Sequence, residues 1–187
     1  MSTLHKSTPI EVEFQVLEGT LGLDDSYLKR CETFIRQEGD KVNHASNLKC
    51  NMTDWQFIME HFWFQQFLDK LNIVVKKTFN LPLVLDSAWG ATYAENEYAA
   101  IHDHARCIWS FVYFVKAEKG SPPLSFFKTI TKFKNEIDNI KQQEPILNIP
   151  AEKDKLILFP GAVPHGVYPN KSGAKRVVIA GNYGLSQ

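Results

Sequence analysis

The most constraining feature of this sequence is a pair of histidines that comes just before a run of aromatic and β-branched residues. His102 and His104 stand two positions apart, and Ile-Trp-Ser-Phe-Val-Tyr-Phe-Val follows at residues 108–115. Such a run is typical of a buried β-strand. Because side chains two residues apart on an extended chain point to the same face, we expect the two imidazoles to converge and Asp103 to point away.

A third histidine, His165, follows 61 residues after His104, in the segment Phe-Pro-Gly-Ala-Val-Pro-His-Gly-Val of residues 159–167. Two same-face histidines beside one strand and a third on another strand suit a metal pocket inside a β-barrel. Neutral imidazoles bind Zn, Cu, Fe and Ni, so the histidines alone leave the metal open. The alternative, in which these histidines are ordinary packing or surface residues, is equally compatible with the spacing alone.

Short strands dominate the sequence after Leu81-Pro82. We predict them near residues 84–94, 98–103, 107–117, 124–127, 146–149, 155–159, 164–168 and 175–183. Many short strands at close spacing are typical of a sandwich or barrel. A polar, lysine-containing insertion at about residues 128–145 separates two of them, and is either a solvated surface helix or a lid or contact surface.

The first 81 residues have a more helical pattern. We predict a half-buried strand at Ile10 to Leu17, a helix from Asp24 or Asp25 to about Gln37, a short strand near residues 48–52 and a helical region from Thr53 or Asp54 to about Phe79. The last region is so rich in aromatic residues that we expect it to pack against a sheet.

Charge and cysteine content limit the partners and the compartment. Lysine plus arginine and aspartate plus glutamate number 21 each, so no global basic field is present to bind nucleic acid or an anionic membrane, which leaves only a local patch. The start lacks a signal-peptide core, and Cys31, Cys50 and Cys107 are typical of free thiols in a reducing cytosol. We therefore expect a cytoplasmic protein. From the length of the chain we also expect a single domain, residues 1–187.

Arg176 is the second chemically informative residue of the C-terminal half. It stands eleven residues after His165, in the segment Lys-Arg-Val-Val-Ile of residues 175–179. An arginine in an apolar strand is costly unless a carboxylate or phosphate pairs with it, so we predict that Arg176 binds an anion in the pocket. The alternative is an arginine that faces solvent from an edge strand.

Taken together, these features resemble the 2-oxoglutarate/Fe(II)-dependent oxygenases, most closely their prolyl-hydroxylase-like and phage-borne members. The resemblance covers about residues 82–183 and rests on Tyr93, the His102-Asp103-His104 segment with the strand after it, the Leu-Phe-Pro-Gly turn before His165, and Arg176. It implies a mainly β fold, a double-stranded β-helix or jelly-roll barrel at residues 82–187, buttressed by the strand and helices of residues 1–81.

The resemblance also implies roles for individual residues. His102 and His165 would bind Fe(II), Arg176 would bind the far carboxylate of the cosubstrate 2-oxoglutarate, and Tyr93 would contact the same molecule. The implied enzyme is a dioxygenase that converts 2-oxoglutarate and O2 to succinate and CO2 while it hydroxylates a substrate, with a protein side chain such as proline as the first candidate by analogy. Candidate walls of the pocket are Trp89, Trp109 and Phe111.

One departure from the family pattern concerns the middle ligand. The usual motif is His-x-Asp or His-x-Glu, whereas here the carboxylate is at Asp103 and a histidine occupies position 104. Either the metal site consists of His102, His104 and His165, or a local bulge turns Asp103 inward in place of His104. Strand geometry favours His104.

Two other classes of protein stay open. A three-histidine site also resembles the cupins, although the glutamate expected a few residues after His-x-His is missing and Ala-Arg-Cys-Ile stands at residues 105–108. A cupin-like non-haem metalloenzyme would not use 2-oxoglutarate, and a non-catalytic jelly-roll binding protein would need neither metal nor cosubstrate. The distinguishing feature is whether Arg176 and the three histidines share one pocket.

Overall fold

The computed structural model describes residues 13–39, 48–128 and 144–186. In chain order its elements are β1 (Leu17–Thr20), α1 (Asp25–Gly39), β2 (Leu48–Lys49), β3 (Asn51–Met52), α2 (Phe57–Glu60), a 3₁₀ turn (Phe62–Phe64), α3 (Gln65–Thr78), β4 (Leu83–Tyr93), β5 (Tyr98–His102), β6 (Trp109–Ala117), β7 (Leu124–Phe126), β8 (Leu147–Ile149), β9 (Lys155–Pro160), β10 (His165–Val167) and β11 (Arg176–Leu185). Most of the predicted insertion, residues 129–143, lies outside the described residues.

The described strands form two antiparallel sheets. The larger sheet has the order β1-β9-β6-β11-β4-β3, and the smaller sheet has the order β2-β5-β10-β7-β8. Apolar side chains of both sheets, such as Phe114 of β6 and Phe126 of β7, share one buried cluster, so the sheets pack face to face. The mainly β, jelly-roll arrangement predicted from the sequence is confirmed.

The larger sheet buries both of its faces. On β6, Phe111 and Tyr113 pack into a cluster with the buried residues of α1 and α3, whereas Val112 and Phe114 point into the cluster between the sheets. This alternation follows from the two-residue period of a strand. The helices therefore buttress the larger sheet, as predicted, and leave its other face free to form an interior.

The start of α1 agrees with the predicted capping. The Asp24 carboxylate accepts a hydrogen bond from the backbone N–H of Tyr27 at 2.8 Å, which satisfies one of the unpaired donors of the first turn. Leu28, Cys31 and Ile35 lie on one face of α1 and are buried. None of the described helices is both long and apolar enough to cross a membrane.

The second helical region is interrupted, which the sequence did not predict. His61 has an extended backbone, with φ −97° and ψ 116°, and separates α2 from the 3₁₀ turn and α3. In one continuous helix, at about 100° per residue, Ile58 and Phe67 would lie on opposite faces. Both side chains are completely buried, so the break at His61 reorients α3 and lets both reach the same core.

The first strand is also displaced from its predicted position. Residues 13–16 are not part of a strand, residues 10–12 lie outside the described part of the chain, and β1 begins at Leu17 and pairs with β9. The connection after β1 is fixed by Asp154, whose carboxylate accepts hydrogen bonds from the backbone N–H groups of Leu21 and Gly22 at 3.3 and 3.0 Å. Phe14 of the predicted apolar face is 39% exposed, so the prediction of a half-buried strand is wrong for residues 13–16.

Candidate active site

Three histidines meet between the two sheets. His102 is the last residue of β5, His165 is the first residue of β10, and the two are direct partners in the strand register. Their ring centres lie 4.4 Å apart, and the His104 ring lies 5.1 Å from that of His102 and 5.2 Å from that of His165. The potential ligand atoms of all three are within 4.8 Å of one another, so they can contact one metal ion.

His104 lies beyond the end of β5, and the expectation that both histidines of the pair share one strand is wrong. Its N–H donates a hydrogen bond to the Gly161 carbonyl at 2.7 Å, and its carbonyl accepts one from the Cys107 N–H at 2.7 Å. A Cβ on Gly161 would lie 2.4 Å from the Cys107 oxygen and 2.7 Å from the His104 oxygen. His104 is therefore positioned by backbone contacts with the Pro160-Gly161 turn and not by strand pairing. Only glycine at position 161 allows so close an approach.

Asp103 is turned away from the histidine cluster. Its carboxylate accepts a hydrogen bond from the Ala105 N–H at 3.2 Å, in the turn after β5. Among the described residues, the group of side chains close enough to hold one ion contains His104 and not Asp103. The structure thus brings together the three histidines singled out in the sequence and leaves the neighbouring carboxylate outside.

Two of the histidines have a fixed ring orientation. Nδ1 of His102 lies 2.7 Å from the Ala100 carbonyl oxygen, and Nδ1 of His165 lies 2.9 Å from the Val163 carbonyl oxygen. A carbonyl can only accept, so each Nδ1 carries the proton and donates it, and the Nε2 lone pair is left for a metal. These contacts select the tautomer that a ligand histidine needs.

Burial keeps the histidines neutral. It lowers the pKa of His165 well below its usual value, with a further decrease from the neighbouring His102 and His104. It lowers the pKa of His104 to about 3, again with a contribution from His102, and it lowers the pKa of His102 as well. Because a metal ion binds the neutral imidazole, the cluster is in its metal-binding form at neutral pH.

Arg176 is almost completely buried and has unpaired donors. It is 1% exposed, and its guanidinium carbon lies 4.5 Å from the centre of the Tyr93 ring and 5.1 Å from that of Phe114. Among the described residues, Nε and Nη1 of Arg176 have no hydrogen-bond partner. No carboxylate forms a salt bridge with Arg176 within residues 13–39, 48–128 and 144–186, and burial lowers its pKa. A buried cation with free donors is costly, and an anion at this position would remove the cost.

One cavity contains both the histidine cluster and Arg176. Its lining includes the three histidines and Arg176, and its floor is the inner face of the larger sheet. On β11 the same face continues from Arg176 to Val178 and Ala180, which pair with Ala91 and Trp89 of β4. The floor is therefore apolar, with a cationic group at one end. Arg176 faces the interior and not solvent. It shares one pocket with the three histidines, which is the distinguishing feature expected from the sequence.

The predicted pocket walls differ in position. Trp89 lines the cavity, with its ring centre 6.0 Å from that of His104. Trp109 instead packs on Phe79, with ring centres 4.2 Å apart. Phe111 contacts both the cavity and the cluster beneath the helices. Sequence reasoning missed the structural role of Gly161, for which the Pro-Gly turn was the available signal.

Comparison with solved structures shows the same fold in many proteins, and three of them serve as examples. HygX from Streptomyces hygroscopicus with nickel, 2-oxoglutarate and hygromycin B bound has 10% sequence identity and a TM-score of 0.69, over 91% of this chain and 83% of that one. A Pseudomonas putida prolyl-4-hydroxylase has 15% identity and a TM-score of 0.67, over 92% and 93%. The 2-oxoglutarate complex of the viral collagen prolyl hydroxylase of Paramecium Bursaria Chlorella virus-1 has 16% identity and a TM-score of 0.62, over 91% and 96%.

Comparison of the sequence with family models and with curated proteins gives two results. No curated protein matches the chain. A family model described as "Putative 2OG-Fe(II) oxygenase" matches residues 87–182, just over half of the chain. This match covers the three histidines, Tyr93 and Arg176, and it favours the oxygenase over the cupin and the binding-protein alternatives. The chain therefore belongs to the 2-oxoglutarate/Fe(II)-dependent oxygenase family.

Proposed function

We propose that His102, His104 and His165 hold the Fe(II) ion of this oxygenase and that Arg176, with Tyr93, holds the distal carboxylate of 2-oxoglutarate. The observation that carries the proposal is the shared cavity, in which a neutral three-histidine cluster and a buried arginine with unpaired donors face the same space. The donor set fits iron, because imidazole is a common ligand of that metal.

The charges of the site fit this assignment. Three neutral histidines leave the double positive charge of Fe(II) uncompensated, and Arg176 adds a third positive charge in the same cavity. 2-Oxoglutarate is a dianion, so it compensates two of these charges. A His-x-Asp site would already carry one negative charge, and we infer that this site depends more strongly on the cosubstrate for charge balance.

When bound, iron, 2-oxoglutarate and O2 supply the oxidation that yields succinate and CO2 and hydroxylates a C–H bond of the substrate. The protein orients the groups that would bind the metal and the cosubstrate, and it keeps them in a buried cavity away from bulk water. The Ala100 and Val163 carbonyls orient the rings of His102 and His165, and the Gly161 turn orients His104. The Tyr93 ring lies 4.5 Å from the Arg176 guanidinium carbon, and this cation–π contact holds the guanidinium beside the cavity.

Peptidyl proline is the first substrate class that we propose to test. Its support is analogy, because two of the similar structures are prolyl hydroxylases. We also propose a cytoplasmic location, which the free thiols of Cys31, Cys50 and Cys107 support. The assignment of the metal-binding and cosubstrate-binding residues depends neither on the substrate class nor on the location.

Anaerobic isothermal titration tests the assignment. 2-Oxoglutarate is titrated into Mn(II)-loaded wild-type protein and into Arg176→Ala and His104→Ala. We expect metal-dependent binding to wild type, loss of 2-oxoglutarate binding with retained Mn(II) binding in Arg176→Ala, and loss of both in His104→Ala. A metal-loaded wild type that does not bind 2-oxoglutarate would overturn the proposal.

A further inference from the structure

An exposed tryptophan packs against a residue that lines the histidine cavity. Trp55 is 39% exposed, and its ring meets that of Trp89 edge to face, with centres 4.5 Å apart and an interplanar angle of 73°. Trp89 is 5% exposed, lines the cavity and lies 6.0 Å from the His104 ring. The two indoles therefore form a continuous aromatic surface that leads from solvent to the histidines.

The backbone fixes Trp55 beside strand β4. The Ala88 N–H donates to the Trp55 carbonyl at 2.9 Å, and the Gln56 side-chain amide donates to the Asp86 carbonyl at 3.0 Å. Asp86 lies next to these contacts and has no register partner in β11. The partners of Asn182 and Tyr183 are residues 87 and 85, so Asp86 is the extra residue of a β-bulge. Bulges redirect side chains and are frequent beside active sites.

The segments around Trp55, Trp89 and the histidine pair, called the rim here, carry more acidic than basic groups. These segments, residues 53–57, 84–90 and 102–108, contain three aspartates and one arginine, namely Asp54, Asp86, Asp103 and Arg106. Burial and the Asp86 carboxylate raise the pKa of the Cys107 thiol, which places this carboxylate near the turn that follows His104. The whole chain has a formal net charge of zero, so an excess of negative charge here is a local property.

We propose that Trp55 and Trp89 form the substrate-binding wall of the cavity and that the substrate group they bind is positively charged. An indole face carries partial negative charge, so it attracts ammonium and guanidinium groups and disfavours anions. The aspartates of the rim act in the same direction. The substrate class is thus a protonated amine or guanidinium next to the C–H bond that reacts. This inference rests on the proposed function of the site. It replaces the peptidyl proline suggested by analogy, because a peptidyl proline nitrogen is an uncharged amide.

The first test measures the charge around Trp55 with ionic quenchers of tryptophan fluorescence. Trp63→Phe removes the other strongly exposed tryptophan, which is 41% exposed and stacks on Phe34. Relative to N-acetyltryptophanamide, we expect Cs⁺ to quench Trp55 at least about twice as efficiently as I⁻, and Asp86→Asn to lower this ratio. Equal relative quenching by the two ions would overturn the proposal.

The second test measures ligand preference in the protein loaded with Mn(II) and 2-oxoglutarate. The probes are capped hexalysine and capped hexaglutamate. We expect hexalysine to bind and hexaglutamate not to, and we expect Trp55→Ala to weaken hexalysine binding about three- to ten-fold, the range of a cation–π contact. The matched control is Trp63→Ala, which removes an equally exposed tryptophan away from the cavity and should leave hexalysine binding unchanged.

The outcomes separate this inference from the proposed function. If neither peptide binds, if both bind equally, or if Trp63→Ala weakens hexalysine binding as much as Trp55→Ala, the inference is wrong. In each of these cases, 2-oxoglutarate binding to the Mn(II)-loaded protein still decides the proposed function. Trp55→Phe is the conservative variant, and it should restore most of the hexalysine affinity because it keeps an aromatic face at the rim.

Discussion

Arg176 and Tyr93 are direct partners on the adjacent strands β11 and β4, and the arginine guanidinium carbon lies 4.5 Å from the centre of the tyrosine ring. The aromatic ring covers one face of the cation without neutralising it. Nε and Nη1 therefore remain as unpaired donors in a buried place. A buried cation with unpaired donors is under-compensated, and this is the basis of the proposed role of Arg176 in binding an anion.

Arg176→Met should stabilise the metal-free protein and abolish 2-oxoglutarate binding. Replacing buried charge by an apolar side chain of similar length removes a desolvation cost, so we expect the free energy of unfolding to rise by roughly 1–4 kcal/mol. Urea denaturation without ligands and isothermal titration with 2-oxoglutarate measure the two effects. Arg36→Met is the control, because Arg36 is on the surface, and should change neither. A destabilised Arg176→Met that still binds 2-oxoglutarate would contradict the role of Arg176.

His104→Ala and Asp103→Ala should differ sharply in metal affinity. The His104 ring belongs to the cluster, whereas the Asp103 carboxylate is hydrogen-bonded to the Ala105 N–H. We expect His104→Ala to lose more Mn(II) affinity than the ~10–100-fold typical of an outer partner, and Asp103→Ala to lose little. Mn(II) titration by calorimetry measures both. The reverse order would mean that Asp103 is the middle ligand.

Gly161→Ala should weaken metal binding without touching a ligand. The added methyl group would lie 2.4 Å from the Cys107 oxygen and 2.7 Å from the His104 oxygen, so the turn that carries His104 has to move. We expect a loss of stability of about 1–3 kcal/mol, as for other overpacked sites, together with weaker Mn(II) binding. Gly19→Ala is the matched control, because a Cβ there has nothing within 4 Å. Equal effects of the two substitutions would rule out the proposed role of Gly161.

The stability of the metal-free protein should fall as the pH decreases below about 6.5. Above that pH the three histidines are neutral in both states. Below it the unfolded chain binds protons, whereas the folded cluster does not until the pH reaches the lowered pKa values, about 3 for His104. Each such histidine contributes a slope of about 1.4 kcal/mol per pH unit. Denaturation at pH 7.5, 6.5 and 5.5 measures this slope, which should be smaller in His104→Gln. An unchanged slope in that variant would contradict the lowered pKa of His104.

The parts of the site that lie on strands could be predicted from sequence. The apolar run after the histidine pair, the distant His165 and the arginine in an apolar strand each have a local pattern that determines which face a side chain takes. Because strand pairing then aligns the faces, His165 comes opposite His102, and Arg176 comes opposite Tyr93. Here the two-residue period and the cost of buried charge were sufficient.

The parts that depend on contacts between distant segments could not be predicted. His104 is held by the Gly161 carbonyl, and nothing in the local sequence shows which turn will approach it. The break at His61 contains no proline or glycine and arises because Ile58 and Phe67 both need the same core. Trp55 was expected to begin a packed helix, and its position at the cavity rim depends on pairing between β3 and β4.

His102 and His165 belong to the smaller sheet, whereas Arg176 belongs to the larger sheet. A dianion that reaches from a metal on one sheet to a guanidinium on the other is therefore a non-covalent cross-link through the middle of the sandwich. Its binding free energy adds to the free energy required to separate the layers. Amide hydrogen exchange should consequently slow in both sheets when 2-oxoglutarate and metal are bound together, and the cosubstrate is then a component of the folded core as well as a reactant.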